Sequence, residues 1–169
     1  MDMDEEKRRR MEALYEAYRN SVFRLCLFYL KNVQQAEDAM QETFLKAWKK
    51  ADTYRGKCSE KTWLISIAAN TCRDWLRTPW LRHENNRRPW DDRMDCWADE
   101  AQPEDMDVIR AVAGLPVKLR EAITLRFYQR LTVPEIAQVL GISVSGVNRR
   151  LTRAKQRLKP ELWEVYIDA

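Results

Sequence analysis

The sequence predicts an all-α protein, and three observations carry that prediction. No stretch alternates apolar and polar residues in the manner of a half-buried strand. Apolar residues recur instead at helical spacing along most of the chain. The helix punctuation is also explicit in "LTVPEIAQVLGIS". Thr132 and Glu135 stand at capping-box spacing, Pro134 suits a first helical turn, Gly141 suits a turn of positive φ, and Ser143 suits an N-cap. At 169 residues the chain fits one domain or two small ones.

The first helix follows from the stripe Leu14, Tyr18, Val22, Leu25 and Tyr29. The second spans about 35–51 and has two unlike faces. Met40, Phe44, Ala47 and Ala51 form the expected core side, and Asp38, Gln41, Glu42 and Leu45 lie opposite. An acidic face with a leucine in its middle fits either plain solvation or docking to a basic protein surface. The third helix spans about 59–77 and ends before Pro79. Leu64, Ala68, Cys72, Trp75 and Leu76 form its apolar face, and Trp63, Ser66, Ile67, Asn70, Arg73, Asp74 and Arg77 form the other. An aromatic beside cations is how proteins hold unstacked bases. Packing of Trp63 under the preceding loop is the alternative, and the two are compatible.

Beyond Thr78 the periodicity collapses in "TPWLRHENNRRPWDDRMDCWADEAQPEDMD", which reads as a linker with short helical turns near its tryptophans. Helices resume at about 108 and continue to about 165. The simplest layout is two small helical domains, 1–78 and 108–169, joined by an acidic linker over 79–107. Charge follows that division. The first part holds 15 basic and 12 acidic residues, the linker 4 and 9, and the last part 11 and 5. Basic ends around an acidic middle point to a polyanionic partner for the ends.

In the last part, a helix, a glycine turn and a second helix make a helix-turn-helix. Val144, Val147, Leu151, Ala154 and Leu158 form the stripe expected to pack the second helix onto the first. Ser145, Asn148, Arg149 and Thr152 form another face, suited to base edges in a major groove. Arg150, Arg153, Lys155 and Arg157 flank them and suit phosphates.

Several classes are disfavoured. The longest apolar run, "LCLFYL", is far short of the roughly 20 residues that span a bilayer. The start, "MDMDEEKRRR", has no apolar segment of a signal peptide. A cytoplasmic protein without membrane insertion is expected, with Cys26, Cys58, Cys72 and Cys96 as reduced thiols. Cys58 and Cys96 are candidates for a redox role, and Cys26 and Cys72 for the core. His83 is the only histidine and has no evident acid or nucleophile partner. Neither it nor the cysteines have zinc-site spacing. No enzyme, metal or cofactor is expected. A duplex-binding repressor or activator accounts for the last part, but not for the third helix or the acidic linker. An interaction adaptor would lack salt-dependent DNA binding.

Three segments resemble the extracytoplasmic-function sigma factors of bacterial RNA polymerase. "AEDAMQETFLKAW" is similar to the family's core-polymerase-binding helix, and "YRGKCSEKTWLISIAANTCRDWLR" to its −10 promoter segment. "GLPVKLREAITLRFYQRLTVPEIAQVLGISVSGVNRRLTRAKQRL" is similar to its −35-binding domain. The resemblance implies an initiation factor that directs core polymerase to promoters and promotes melting. It places Asp38, Gln41, Glu42 and Phe44 against the polymerase. It makes 54–61, with Tyr54, Arg55, Gly56 and Lys57, the loop that captures a base flipped from the −10 strand. Trp63, Asn70, Arg73 and Asp74 then sit on the helix behind that loop, and Asn148, Arg149, Thr152 and Arg153 on the −35 recognition helix. It also implies an anti-sigma factor that masks both domains. The chain departs from the family pattern at Lys57, Cys58 and Glu60, where an aspartate, a serine and an aromatic are common. It departs again at Gly146, where threonine is common, and at Arg130, where glycine is common.

Overall fold

The computed structural model describes residues 2–88, 106–158 and 160, and every regular element among them is a helix. Helix α1, Met3–Leu30, opens with Asp4, Glu5 and Glu6 at its electropositive end and closes at Lys31, whose φ of 54° is left-handed. Asn32 caps α2, Val33–Lys50, by accepting the Gln35 N–H at 2.8 Å. Ser59 caps α3, Glu60–Leu76, by accepting the Thr62 N–H at 3.1 Å. Helix α4, Pro79–Arg87, lies inside the span expected as a linker and carries one of its tryptophans, Trp80. Then come α5, Met106–Ala113, and α6, Val117–Ile123, which runs into a π-helical turn at Thr124–Tyr128. Helices α7, Val133–Leu140, and α8, Val144–Arg157, form the helix-turn-helix.

Helices α1, α2 and α3 pack against one another along a seam of small residues. On α2 the fully enclosed positions are Ala36, Ala39, Thr43 and Ala47, and the Thr43 hydroxyl donates to the Ala39 carbonyl at 2.7 Å. Met40 and Phe44, expected at the centre of this face, are half-buried at its edge. The reason is steric, since the alanines let the helix axes approach and the larger side chains flank them.

The two helical units pack onto each other. Leu125, Leu131, Ile136, Ala137, Val139, Leu140 and Val147 belong to the same apolar cluster as α1, α2 and α3. Helix α3 is therefore covered on both sides. Ile67, which periodicity placed on the polar face, is buried because α7 lies over it. The run "LCLFYL" finds its explanation here too. Leu25, Cys26, Tyr29 and Leu30 face the first cluster, while Phe28 joins Val108, Ile109, Val112, Leu119 and Ile123 in a second. A helix segment enclosed from two directions is apolar all round. Each such side chain contributes about 1.5–3 kcal/mol when fully buried.

The predicted punctuation of the helix-turn-helix is present in full. Thr132 Oγ1 accepts the Glu135 N–H at 3.3 Å, and Glu135 accepts the Thr132 N–H at 3.0 Å. Gly141 turns with φ 66°, and Ser143 Oγ accepts the Gly146 N–H at 3.0 Å. One stripe residue differs. Val144 is 45% exposed, because it begins the first turn of α8, beyond the reach of α7. Val147 carries the packing against α7, whereas Ala154 and Leu158 join the second cluster with α5 and α6, and Leu151 borders both. Cys96, most of the expected linker and the expected helical residues beyond 160 lie outside the described residues. No described helix is long and apolar enough to cross a membrane.

Candidate nucleic-acid interface

The buried stripe of α8 fixes what the rest of that helix presents. With Val147 and Ala154 fully enclosed, Ser145, Asn148, Arg149, Thr152, Arg153 and Lys155 are all exposed. Arg149, Arg150 and Arg153 border a groove of about 660 Å³, closed on its far side by Pro116 and Lys118. A strongly basic, open groove beside short polar side chains suits a phosphate backbone with base edges next to it. Arg150 stands apart from its neighbours. It is only half-exposed and donates to Glu121 at 2.8 Å, so an expected phosphate contact is held by a buried carboxylate instead.

The loop before α3 is shaped around Tyr54. Its hydroxyl donates to the Cys58 carbonyl, its ring lies 5.2 Å from that of Trp63, and the Arg10 guanidinium sits 5.1 Å over it. Gly56 turns the loop with φ 72°, leaving Arg55, Gly56 and Lys57 exposed at the tip. Trp63 is half-buried against Tyr54 and the core, so it packs under the loop and keeps one edge open.

Further along α3, Asn70 and Asp74 are exposed, and Asp74 pairs with Arg77 at 2.8 Å. Arg73 is turned toward α7. It donates to the carbonyls of Val139 and Leu140 at 3.3 Å each and also to Asn70. A guanidinium at those last carbonyls meets the negative end of the α7 dipole. Thus Trp63 and Asn70 keep open surface, whereas Arg73 is committed to the other unit.

On α2, Asp38 and Gln41 are exposed, and Asp38 accepts from Gln34 at 3.2 Å. Glu42 accepts from Trp75 Nε1 at 2.8 Å and from Lys46 at 3.1 Å. Those bonds, the Trp75 one first, hold its carboxyl below the usual glutamate range. Phe44 is half-buried, edge-on to Tyr15 at 5.0 Å. Leu45 is 63% exposed, and Trp48, not singled out from the sequence, extends the same face with Lys7 over its ring at 5.0 Å. The spacing 38, 41, 45, 48 was available as its signal.

The polar contacts between the units were not readable from sequence. Arg120 is 2% exposed and donates to the Tyr29 carbonyl at 2.9 Å, to Asn85 Oδ1 at 3.0 Å and to the carbonyls of Ala113 and Leu115 at 3.2 Å. Burial lowers its pKa to about 10, so it stays charged at neutral pH. The Tyr29 hydroxyl donates to Glu121 at 2.6 Å, and burial, then the Glu121 charge, pushes its pKa well up. Lys61 donates to the Gln129 carbonyl at 2.9 Å, and Thr62 to Glu135 at 2.8 Å. Glu121 thus ties α8, through Arg150, to α1, through Tyr29. Cys26 and Cys72 are fully buried and neighbour each other, and burial raises the Cys72 thiol well above its usual range. Among the described residues no three His, Cys, Asp or Glu side chains gather as a metal site would require.

Comparison with known proteins gives a consistent family. Residues 14–82 match sigma-70 region 2, and residues 105–158 match sigma-70, region 4. The chain is 31% identical over 156 residues to the ECF RNA polymerase sigma factor SigM of Bacillus subtilis, covering 88% of this chain and 93% of that protein. It is 26% identical over 160 residues to SigX of the same organism, covering 89% of this chain and 82% of SigX. Its fold is similar to the sigma factor RpoE solved with the anti-sigma factor NepR from Bartonella quintana. The TM-score is 0.71 and the identity 22%, over 91% of this chain and 96% of that one. It is also similar to CnrH, solved with the cytosolic domain of CnrY, with TM-score 0.68 and identity 23%, over 94% and 90% of the two chains.

Proposed function

We infer the working of this chain from the family to which it belongs, the extracytoplasmic-function RNA polymerase sigma factors. It is a sigma factor of transcription initiation. The finer assignment is ours. The unit over 1–78 binds core RNA polymerase through the exposed α2 face of Asp38, Gln41 and Leu45, with Glu42 and Phe44 at its edge. The same unit reads the −10 element with the loop at 54–61 and the Trp63 and Asn70 side of α3. The unit over 108–169 reads the −35 element in duplex DNA through Ser145, Asn148, Arg149, Thr152 and Arg153, with Lys155 on phosphate. The acidic span between them tethers the units.

The observation that carries this reading is the α8 face. A helix capped at both preceding turns holds five hydrogen-bonding side chains outward, directly opposite its buried stripe. Capture of a melted base is then the task of the loop, where a stacking aromatic offsets the few kcal/mol of unstacking. Arg73 joins that task only after α7 moves away, so promoter melting requires the two units to separate. An anti-sigma partner fits the same surfaces. RpoE and CnrH were each solved with a partner protein, NepR and CnrY respectively, and by that likeness we assign this chain a protein partner that holds the units together.

The test is run-off transcription with core polymerase on a promoter library, followed by permanganate probing of unpaired thymines. The expected result is specific transcripts and a melted segment that both depend on this chain. Duplex binding without polymerase, and no melting when polymerase is present, would replace this reading with that of a duplex-bound regulator.

A further inference from the structure

Helix α4 sits where the sequence promised a tether, and it is docked by one face only. Asn85, 2% exposed, donates to the Tyr29 carbonyl at 2.9 Å, and Glu84 pairs with Arg88 at 2.6 Å on the flank of that face. At about 100° per residue the outward arc holds Trp80, Arg82, His83 and Arg87. It contains no acid whose position is described. Trp80 is 68% exposed, far more than Trp48, and no side-chain bond to a described residue holds any of the four. A bare tryptophan among cations offers a flat ring for stacking and positive charge on one arc.

Its position says what covers it. On α3, Asn70, Asp74 and Arg77 are exposed along one line, and Pro79 begins α4 two residues after Arg77. Helix α4 thus follows directly in the chain on the α3 side assigned above to melted promoter DNA. An exposed indole face offers stacking only to a base that has left its own stack. We propose that α4 is a second single-strand contact, in which Trp80 stacks on an unpaired promoter base and Arg82 and Arg87 hold the phosphates beside it. This proposal rests on the promoter reading of α3 and extends it by a helix.

The experiment uses the full chain with core polymerase on a promoter it melts. Open complexes are compared for wild type, Trp80→Ala and the double variant Arg82→Ala with Arg87→Ala. A photo-crosslinking benzoylphenylalanine replaces Trp80 in a fourth sample. Because these side chains are exposed, thermal melting of the free variants should match wild type. The expected result is a crosslink to one promoter strand and open complexes that dissociate roughly tenfold faster in Trp80→Ala, as loss of one stacked base implies. The double variant should lower the salt dependence of complex stability by about 1.4 in log–log slope, from roughly 0.7 per single-strand phosphate. Normal lifetimes together with a crosslink to polymerase, or to the acidic residues of the chain itself, would overturn the α4 proposal and leave the promoter reading intact. Absence of open complexes with wild type would overturn both.

Discussion

Arg130 occupies a backbone conformation that side chains avoid, with φ 57° in the left-handed region. By the resemblance drawn from the sequence a glycine is common there, and the angle supplies the reason. A residue with a Cβ pays about 1–2 kcal/mol for that conformation. Arg130→Gly should therefore stabilise the protein by about 0.5–1 kcal/mol once the greater freedom of unfolded glycine is counted. Arg130→Ala should bring no such gain. Thermal unfolding of the pair distinguishes backbone strain from loss of the arginine itself.

Lys31 makes a second residue-scale case. It is buried, its ammonium donates to the Arg88 carbonyl at 3.3 Å, and burial, then Arg120 and Arg88, lowers its pKa from 10.5 to about 8. The folded protein thus releases this proton near pH 8, while the unfolded chain keeps it until about 10.5. Between those values the unfolded state binds more protons, so this group's contribution to stability rises with pH. The melting temperature of wild type relative to Lys31→Gln should accordingly increase from pH 7 to pH 10. A constant difference across that range would show that Lys31 titrates normally. Neither feature was legible in sequence, since φ is set by the turn and the pKa by burial and then by cations that arrive from α6 and α4.

At the scale of elements, what could be read was local chemistry. Caps, the turn glycine and the buried stripe of α8 depend on residues within a turn or two of each other, and they stand where the spacing put them. Thr132→Ala and Ser143→Ala should each cost about 1 kcal/mol of stability. Gly141→Ala should cost about 1–2 kcal/mol, because alanine must adopt φ 66°. Denaturant titration measures all three. What could not be read was which faces would be covered. Periodicity gave α3 one apolar side, and α7 supplied a second cover that buries Ile67 and takes Arg73 out of solvent. Val144 failed in the opposite sense, as an apolar residue at helical spacing beyond the end of its partner helix. Trp63 shows both halves of its reading at once, packed on Tyr54 and still open at one edge.

At the scale of the molecule, helical class, helix order and the helix-turn-helix were legible, whereas the closure of one unit on the other was not. The decisive contacts join residues far apart in sequence, Tyr29 with Glu121 and Thr62 with Glu135, and nothing local marks them. Removing the Glu121 carboxylate costs about 1–3 kcal/mol, because the buried Tyr29 hydroxyl loses its charged acceptor. Glu121→Gln should therefore loosen the closed form and free Arg150. Small-angle scattering should detect a larger radius of gyration, and affinity for −35 duplex should rise. Tyr29→Phe should act in the same direction with smaller effect. A variant that melts earlier but scatters like wild type would mean that the contacts stabilise the units without setting their arrangement.

The covering of α3 by α7 has a further consequence in time. The Arg73 contact closes over 67 residues of chain. At roughly 5–20 residues per second, the ribosome needs about 3–13 s to synthesise that stretch. During those seconds α1, α2 and α3 can already have folded around their alanine seam, with Ile67 and Arg73 facing water and no α7 yet made. Each newly made molecule passes once through an interval in which the Ile67 and Arg73 side of α3 is uncovered before its own later helices close upon it. The order of synthesis thus gives each new molecule a few seconds in which that side of α3 is open to a partner before α7 exists to cover it.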